Sequence, residues 1–141
     1  MTDPELLAKK LALIETCVAD LRRLARPDVL GHDIREERFV EHTLQIAIQA
    51  ALDVASHIVS DRRLGEPRTS RDLFAMLERD GWIPAPLAST LRNMVGFRNV
   101  LVHGYDEVDL AIVRDVLEHR LEHLLAFVAV VRRRMVDQPS T

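Results

Sequence analysis

The chain has 141 residues, of which 48% are hydrophobic and 29% charged, and its formal net charge is −3. This length fits one domain with its own core, and the negative charge argues against a broad basic surface for nucleic acid. No apolar run approaches the ~18 residues of a membrane span, and charged residues near the N-terminus are unlike a signal peptide. The single cysteine, Cys17, excludes an internal disulfide, so we expect a reducing cytoplasm.

Leu, Ala, Val, Glu and Arg are frequent, whereas there are only five glycines and six prolines, which favours an all-α chain. We predict an antiparallel bundle of four long helices plus one short helix, a single domain over residues 1–136 with a frayed tail at 137–141. The first helix should run from Asp3 to Ala25, with Asp3 as N-cap and Pro4 at its first position. Its apolar stripe comprises Leu7, Leu11, Ile14, Val18 and Leu21.

The second helix should run from Ile34 to Leu64 and end before Gly65. Its faces are mostly apolar, so it should lie in the centre of the bundle. A polar stripe breaks this pattern with one residue at every fourth position: Gln45, Gln49, Asp53 and His57. An unpaired buried polar group costs about 1–3 kcal/mol, so these side chains need partners or water. The sequence leaves open whether the polar stripe faces solvent, a cleft or a second subunit.

Three further helices are predicted. A short one from Arg71 to Asp80 should be capped by Thr69 or Ser70 and end at Gly81. A buried connector, Trp82-Ile83-Pro84, should lead into the fourth helix. Asp106 is the expected N-cap of the fifth, which should run to about Arg134. Residues expected to point inward on these helices are Leu73, Phe74, Leu77, Leu87, Leu91, Met94, Val95, Val108, Ile112, Val116, Leu117, Leu121, Leu124, Leu125 and Val128.

The fourth helix should end in a segment that carries the candidate chemistry, Gly96 to Tyr105. His103 can act as a general acid or base near neutral pH, and the permanent charge of Arg98 can stabilise a phosphorane-like transition state. Asn99 could orient either group, and the adjacent apolar residues suggest a buried turn. Arg98 and His103 lie about 140° apart on a continuous helix, so they converge only through a helix break or a second copy of the chain. A purely structural alternative is a salt bridge for Arg98 and a helix cap for His103.

Other polar groups point less clearly to a function. The histidines are scattered, and His119 and His123 share a face without the order of a zinc peptidase motif, so no metal site is expected. The run Arg132-Arg133-Arg134 should complement the dipole at a helix C-terminus, with weak RNA or membrane contact as the alternative.

The segment Arg98-Asn99-Val100-Leu101-Val102-His103-Gly104-Tyr105 resembles the R-x4-H-x-Y motif of HepT toxins in the HEPN superfamily. The preceding Met94-Val95-Gly96-Phe97 and the helix order are also similar, including a long second helix that contains Asp53-Val54-Ala55-Ser56-His57-Ile58. The likeness therefore extends over roughly residues 1 to 135.

This resemblance implies a homodimeric, metal-independent ribonuclease toxin without a cofactor, whose two motifs meet in a composite cleft. Arg98 and His103 would be its catalytic residues, with Asn99 and Asp53 in support. An MntA-type nucleotidyltransferase antitoxin would neutralise the toxin by transferring AMP onto Tyr105, which places bulk and negative charge where the RNA phosphate must sit. Two alternatives are a non-catalytic HEPN partner that binds a nucleotidyltransferase, and a helical interaction module in which Arg98 and His103 are structural.

Overall fold

The amphipathic segments fold as helices in a computed structural model, which describes residues 3–103 and 109–137, with only the backbone at 103. Those ranges contain six α-helices: α1 (Pro4–Leu24), α2 (Ile34–Asp61), α3 (Asp72–Arg79), α4 (Ala85–His103), α5 (Leu110–Asp115) and α6 (Leu121–Asp137). A π-helical turn, Val116–Arg120, joins α5 to α6. The predicted all-α fold is confirmed, and no described helix is long and apolar enough to cross a membrane.

The first helix begins and ends close to the predicted residues because its signals are local. A carboxylate oxygen of Asp3 accepts hydrogen bonds from the backbone N–H groups of Glu5 and Leu6 at 3.1 and 3.2 Å. Pro4 occupies the first helical position, where its missing N–H costs nothing. The helix ends at Leu24, one residue before the prediction, because Ala25 is extended.

The end of α2 differs from the prediction by three residues. The helix stops at Asp61 instead of Leu64, because Arg63 takes the left-handed conformation at φ 53°. The N–H of Leu64 then donates to the carbonyl of Val59 at 3.0 Å, which closes the helix end. Glycine is the usual left-handed residue at a helix end, so the prediction placed the boundary before Gly65 and not before Arg63.

The start of α3 is also built differently from the prediction. Neither Thr69 nor Ser70 caps it, and the helix spans Asp72–Arg79. Instead, the carboxylate of Asp72 reaches back and accepts hydrogen bonds from the N–H groups of Arg68 and Thr69 at 2.9 and 3.2 Å. Its C-terminal boundary is as predicted, with Gly81 at φ 79°.

The predicted fifth helix is one helical rod with an irregular turn. In its described part, Asp109 is the N-cap of α5, and the side chain of Asp109 accepts a hydrogen bond from the N–H of Ala111 at 2.9 Å. The predicted N-cap Asp106 and the predicted core residue Val108 lie outside the described residues. Ile112 was expected inside but is 50% exposed, and Val113 is buried instead. The π-helical turn interrupts the 3.6-residue period, so one apolar phase does not hold along the whole rod. Residue 137 belongs to α6, and residues 138–141 lie outside the described residues, so the frayed tail stays a prediction.

The core surrounds α2, which contacts α1, α3, α4 and α6 as expected for a central helix. Phe74 of α3 and Phe127 of α6 meet edge to face, with ring centroids 5.6 Å apart. Cys17 is buried and free, and burial raises the pKa of its thiol, with the charge of Asp20 adding to the effect. With α2 fixed in the centre, its polar stripe lies between α1 on one side and α4 on the other.

Candidate active site

Arg98 lies on α4 and turns towards the middle of α2. Its side chain is half-buried, and Nη1 donates a hydrogen bond to Oε1 of Gln49 at 3.1 Å. The Nε atom is buried and has no hydrogen-bond partner among the described residues. An unpartnered buried N–H is costly, so among the described residues this nitrogen lacks the acceptor that a permanently charged guanidinium favours.

A chain of hydrogen bonds extends from Arg98 across α2 to α1. Nε2 of Gln49 donates to Oδ1 of Asp53 at 2.9 Å. The other carboxylate oxygen of Asp53 accepts from Nζ of Lys10 at 3.0 Å, which also makes this contact an ion pair. Three helices therefore meet in one polar line, Lys10–Asp53–Gln49–Arg98, which we call the relay.

Three of the four residues of the polar stripe, Gln49, Asp53 and His57, form a seam of tertiary contacts. Gln49 is exposed, whereas Asp53 and His57 are half-buried. Nε2 of His57 accepts a hydrogen bond from the backbone N–H of Asp3 at 3.1 Å. Glu41 extends the line by one turn towards the start of α2, and burial raises the pKa of its carboxyl, with the charge of Arg38 opposing that shift. Simple solvation therefore does not describe this face.

The remaining motif residues lie at the end of α4. His103 is the last residue of this helix, and Tyr105 lies outside the described residues. Asn99 is exposed. Because α4 continues without a break from Arg98 to His103, these residues stay about 140° apart around its axis. The helix break that might have brought them together within one chain is absent up to His103.

Two apolar side chains between Arg98 and His103 face solvent. Val100 is 46% exposed and Val102 is 36% exposed, while Leu101 is half-buried. The prediction of a buried turn here is wrong, because α4 passes beyond the core at its C-terminal end and only one of the three residues still packs against it. The motif therefore lies beside exposed apolar surface.

Comparison with known proteins places this geometry in a family. Residues 14–131 match the family described as Ribonuclease HepT-like. The mRNA nuclease HepT of Shewanella oneidensis is 33% identical over 129 residues, which cover 91% of this chain and 97% of that protein. The tRNA nuclease HepT of Aphanizomenon flos-aquae is 29% identical over 110 residues, covering 76% of this chain and 74% of that protein.

A solved structure agrees. The tri-AMPylated HEPN toxin of Shewanella oneidensis in complex with MNT antitoxin superposes with a TM-score of 0.86 and 34% identity, covering 94% of this chain and 99% of that one. This chain belongs to the ribonuclease HepT-like family. The expected family and the expected ribonuclease class are confirmed by these matches.

The structure brings together only some of the predicted site residues of this HepT-like chain. Arg98 and Asp53 are linked through Gln49, while the side chain of Asn99 makes no hydrogen bond with the described residues. Sequence reasoning missed Lys10. A signal was present in the sequence: Lys10 stands between Leu6 and Leu13 at spacings of four and three, on a second face of α1 beside the apolar stripe.

The histidines outside the motif form no metal centre in the described part of the HepT-like chain, where no group of three or more His, Cys, Asp or Glu could hold an ion. His119 was expected on a solvated face, and its side chain is 65% exposed, 3.8 Å from Glu118. His123 departs from that expectation, because it is half-buried and its Nδ1 has no hydrogen-bond partner among the described residues.

Proposed function

We propose that this chain is a cytoplasmic, homodimeric endoribonuclease toxin that cleaves RNA without a metal ion or cofactor, using Arg98 and His103. The observation that carries the proposal is the state of Arg98: Gln49 of α2 fixes Nη1, while Nε has no hydrogen-bond partner among residues 3–103 and 109–137. A guanidinium held in this way is preorganised for an anionic group, and a phosphodiester is the anion that a ribonuclease must bind.

The roles of the side chains follow from their chemistry. Arg98 stabilises the negative charge that develops on the phosphate oxygens in the transition state. His103 takes the proton from the ribose 2′-hydroxyl or gives one to the leaving oxygen, since imidazole exchanges protons near neutral pH. Asn99 orients the bound phosphate or the imidazole, and Asp53 supports Arg98 through Gln49.

A second copy of the chain completes the site. Arg98 and His103 lie about 140° apart on an unbroken helix, so one copy does not present both residues to one phosphate. Val100 and Val102 are exposed apolar residues between them, which is suitable surface for a symmetric contact. In this arrangement the Arg98 and His103 of both copies line one composite cleft.

Control of the toxin is the second part of the proposal. A related toxin is solved as a tri-AMPylated chain in complex with MNT antitoxin. For this chain, the partner is a nucleotidyltransferase of the MntA type, which transfers AMP from ATP onto Tyr105. The added phosphates carry negative charge two residues from His103 and repel the RNA backbone from the cleft.

Substitution of the two proposed catalytic residues tests the mechanism. Arg98→Ala and His103→Ala should each abolish growth arrest and RNA degradation, because one removes the stabilising charge and the other the proton carrier. The measurements are colony growth after induction and cleavage of total RNA by the purified protein. Arg92→Ala and His32→Ala, at exposed positions on α4 and before α2, are matched controls that should keep wild-type toxicity. Toxicity and cleavage that persist in both motif variants would refute the mechanism.

Mass spectrometry tests the modification. Incubation with the cognate MntA-type nucleotidyltransferase, together with ATP and Mg²⁺, should raise the mass of the wild-type chain by whole AMP units and suppress RNA cleavage. Tyr105→Phe should stay at its original mass, because it lacks the phenol oxygen that attacks the α-phosphate and releases pyrophosphate. Modification of the Tyr105→Phe chain would move the acceptor to another residue.

A further inference from the structure

We propose that Lys10 and Gln49 are positioning residues for Arg98, acting through the relay so that the guanidinium is fixed in direction while its full positive charge stays available for the RNA phosphate. This inference rests on the proposed function. It assigns roles to a residue of α1 and to a neutral residue of α2 that have no catalytic groups of their own.

The amide of Gln49 is held in one orientation by its two partners. Its amide has one acceptor and one donor end, and both are engaged: Oε1 accepts from Arg98 at 3.1 Å and Nε2 donates to Asp53 at 2.9 Å. Because Asp53 offers only acceptors when ionised, it forces the NH2 group of Gln49 towards itself and the carbonyl oxygen towards Arg98. The carboxylate thus sets which end of the amide meets the guanidinium.

The neutral amide of Gln49 also leaves the charge of Arg98 unpaired by the relay. A carboxylate in contact with Arg98 would pair with it and compete with the phosphate for the same N–H groups. Gln49 supplies a hydrogen-bond acceptor of the right shape with no charge, so Arg98 keeps its positive charge for the ligand. The described residues place no carboxylate in direct hydrogen-bond contact with Arg98, and the nearest member of the relay that carries one is separated by the length of the amide.

Lys10 compensates the charge of Asp53. Without it, Asp53 would be an uncompensated negative charge two hydrogen bonds away from Arg98, with only the Gln49 amide between them. The ammonium of Lys10 lies 3.0 Å from Oδ2 of Asp53, and the two side chains are 34% and 39% exposed, so the pair is partly withdrawn from solvent. Lys10 therefore balances Asp53 locally and prevents that carboxylate from swinging to the arginine.

Substitution of Gln49 separates positioning from structure. Gln49→Ala should lower kcat by roughly tenfold to a hundredfold, the scale of one lost hydrogen bond to a charged group, with a smaller change in KM. Gln49→Glu keeps the shape and can still accept from Arg98, but it replaces the donor to Asp53 with a second carboxylate. It is therefore also combined with Asp53→Asn, whose amide can donate to the new carboxylate. The relay predicts that both variants lose activity to a similar degree and that the double variant keeps its thermal stability, because the new carboxylate neutralises Arg98.

Substitution of Lys10 tests the charge balance. Lys10→Met keeps most of the aliphatic stem and should lower kcat, whereas Lys10→Arg should restore it because the cation returns. Lys10→Met combined with Asp53→Asn should regain part of the lost activity, since the carboxylate that needed balancing is gone. Lys9→Met is the matched control: its side chain is 75% exposed, 3.9 Å from Glu5, and should have wild-type kcat.

The assay is cleavage of a fluorophore–quencher RNA oligonucleotide, chosen because the wild-type dimer cleaves it, with kcat and KM measured for each folded variant. If Gln49→Glu and Lys10→Met keep kcat within about threefold of wild type while Arg98→Ala is inactive, the relay is wrong and the proposed function stands. If Arg98→Ala itself stays active, Arg98 is not a catalytic residue, and the proposed function is refuted whatever the relay variants show. If Gln49→Ala unfolds, as judged by circular dichroism, the Gln49→Glu and Lys10 variants still decide the question.

Discussion

Single residues of the arginine run at the end of α6 have specific partners. Arg132 donates through both terminal nitrogens to the two carboxylate oxygens of Glu15 on α1, at 2.7 and 2.6 Å. Arg134 places its guanidinium 4.3 Å from the ring centroid of the buried Trp82. The sequence predicted a general complement to the helix dipole, whereas two of these three arginines tie α6 to other parts of the bundle.

The Arg132–Glu15 pair predicts a pH-dependent contribution to stability. The hydrogen bond from Arg132 lowers the pKa of Glu15, so the pair stabilises the fold above the unfolded-state pKa of about 4.3 and is lost as pH falls through the folded-state pKa. Both side chains are more than 40% exposed, and solvent screening limits the contribution to about 0.5–1 kcal/mol. Urea unfolding should therefore show Glu15→Gln to be less stable than wild type at pH 7, with the difference shrinking as the pH is lowered to 3.

The exposed Glu122 on α6 provides the control, since Glu122→Gln should leave stability unchanged at both pH values. A deficit of Glu15→Gln that is equally large at pH 3 would mean that packing, and not the ionised carboxylate, is responsible.

At the scale of helices, the sequence was sufficient where signals are local. Apolar spacing located each α-helix in the described part of the chain, and the Asp3-Pro4 start of α1 was predicted because cap and proline are adjacent in the chain. Prediction failed where the ending residue is atypical, as with left-handed Arg63, and where a side chain caps backwards, as with Asp72. It also failed at the π-helical turn, because the wider turn shifts the apolar positions that follow it by one residue. No residue type in the sequence indicates that shift.

The candidate site divides in the same way. Arg98 was predicted because it lies in a short motif, and Asp53 because it interrupts an apolar helix at regular spacing. Lys10 was not predicted, since its contact with Asp53 joins positions 43 residues apart and depends on how α1 rests on α2. Single-sequence periodicity gives the face of each helix but not which two polar faces will meet.

At the scale of the whole molecule, the proposed dimer makes a prediction about assembly. Val100→Asp with Val102→Asp should weaken self-association at least tenfold, because an unpaired carboxylate is costly to bury in an apolar contact. RNA cleavage should fall with the dimer population. Sedimentation velocity over a range of concentrations, run beside the cleavage assay, measures both effects.

Val136→Asp is the matched control, because Val136 is 80% exposed at the end of α6 and far along the chain from the motif. A double-aspartate chain that remains dimeric would place the two-fold contact on another surface. A monomer that still cleaves RNA at the wild-type rate would contradict the composite cleft.

The seam along α2 also limits how the sequence of this protein can change in length. Gln49, Asp53 and His57 meet α4 or α1 because they follow one another at four-residue intervals. One residue inserted after Gln49 would rotate the rest of α2 by about 100° relative to the part before it. This one change would break the link from Arg98 to Asp53 and would also move His57 away from α1. A point substitution removes one contact of this seam, whereas an insertion or deletion within it removes several contacts at once. Natural variants that differ in length should therefore carry the change in the connecting loops.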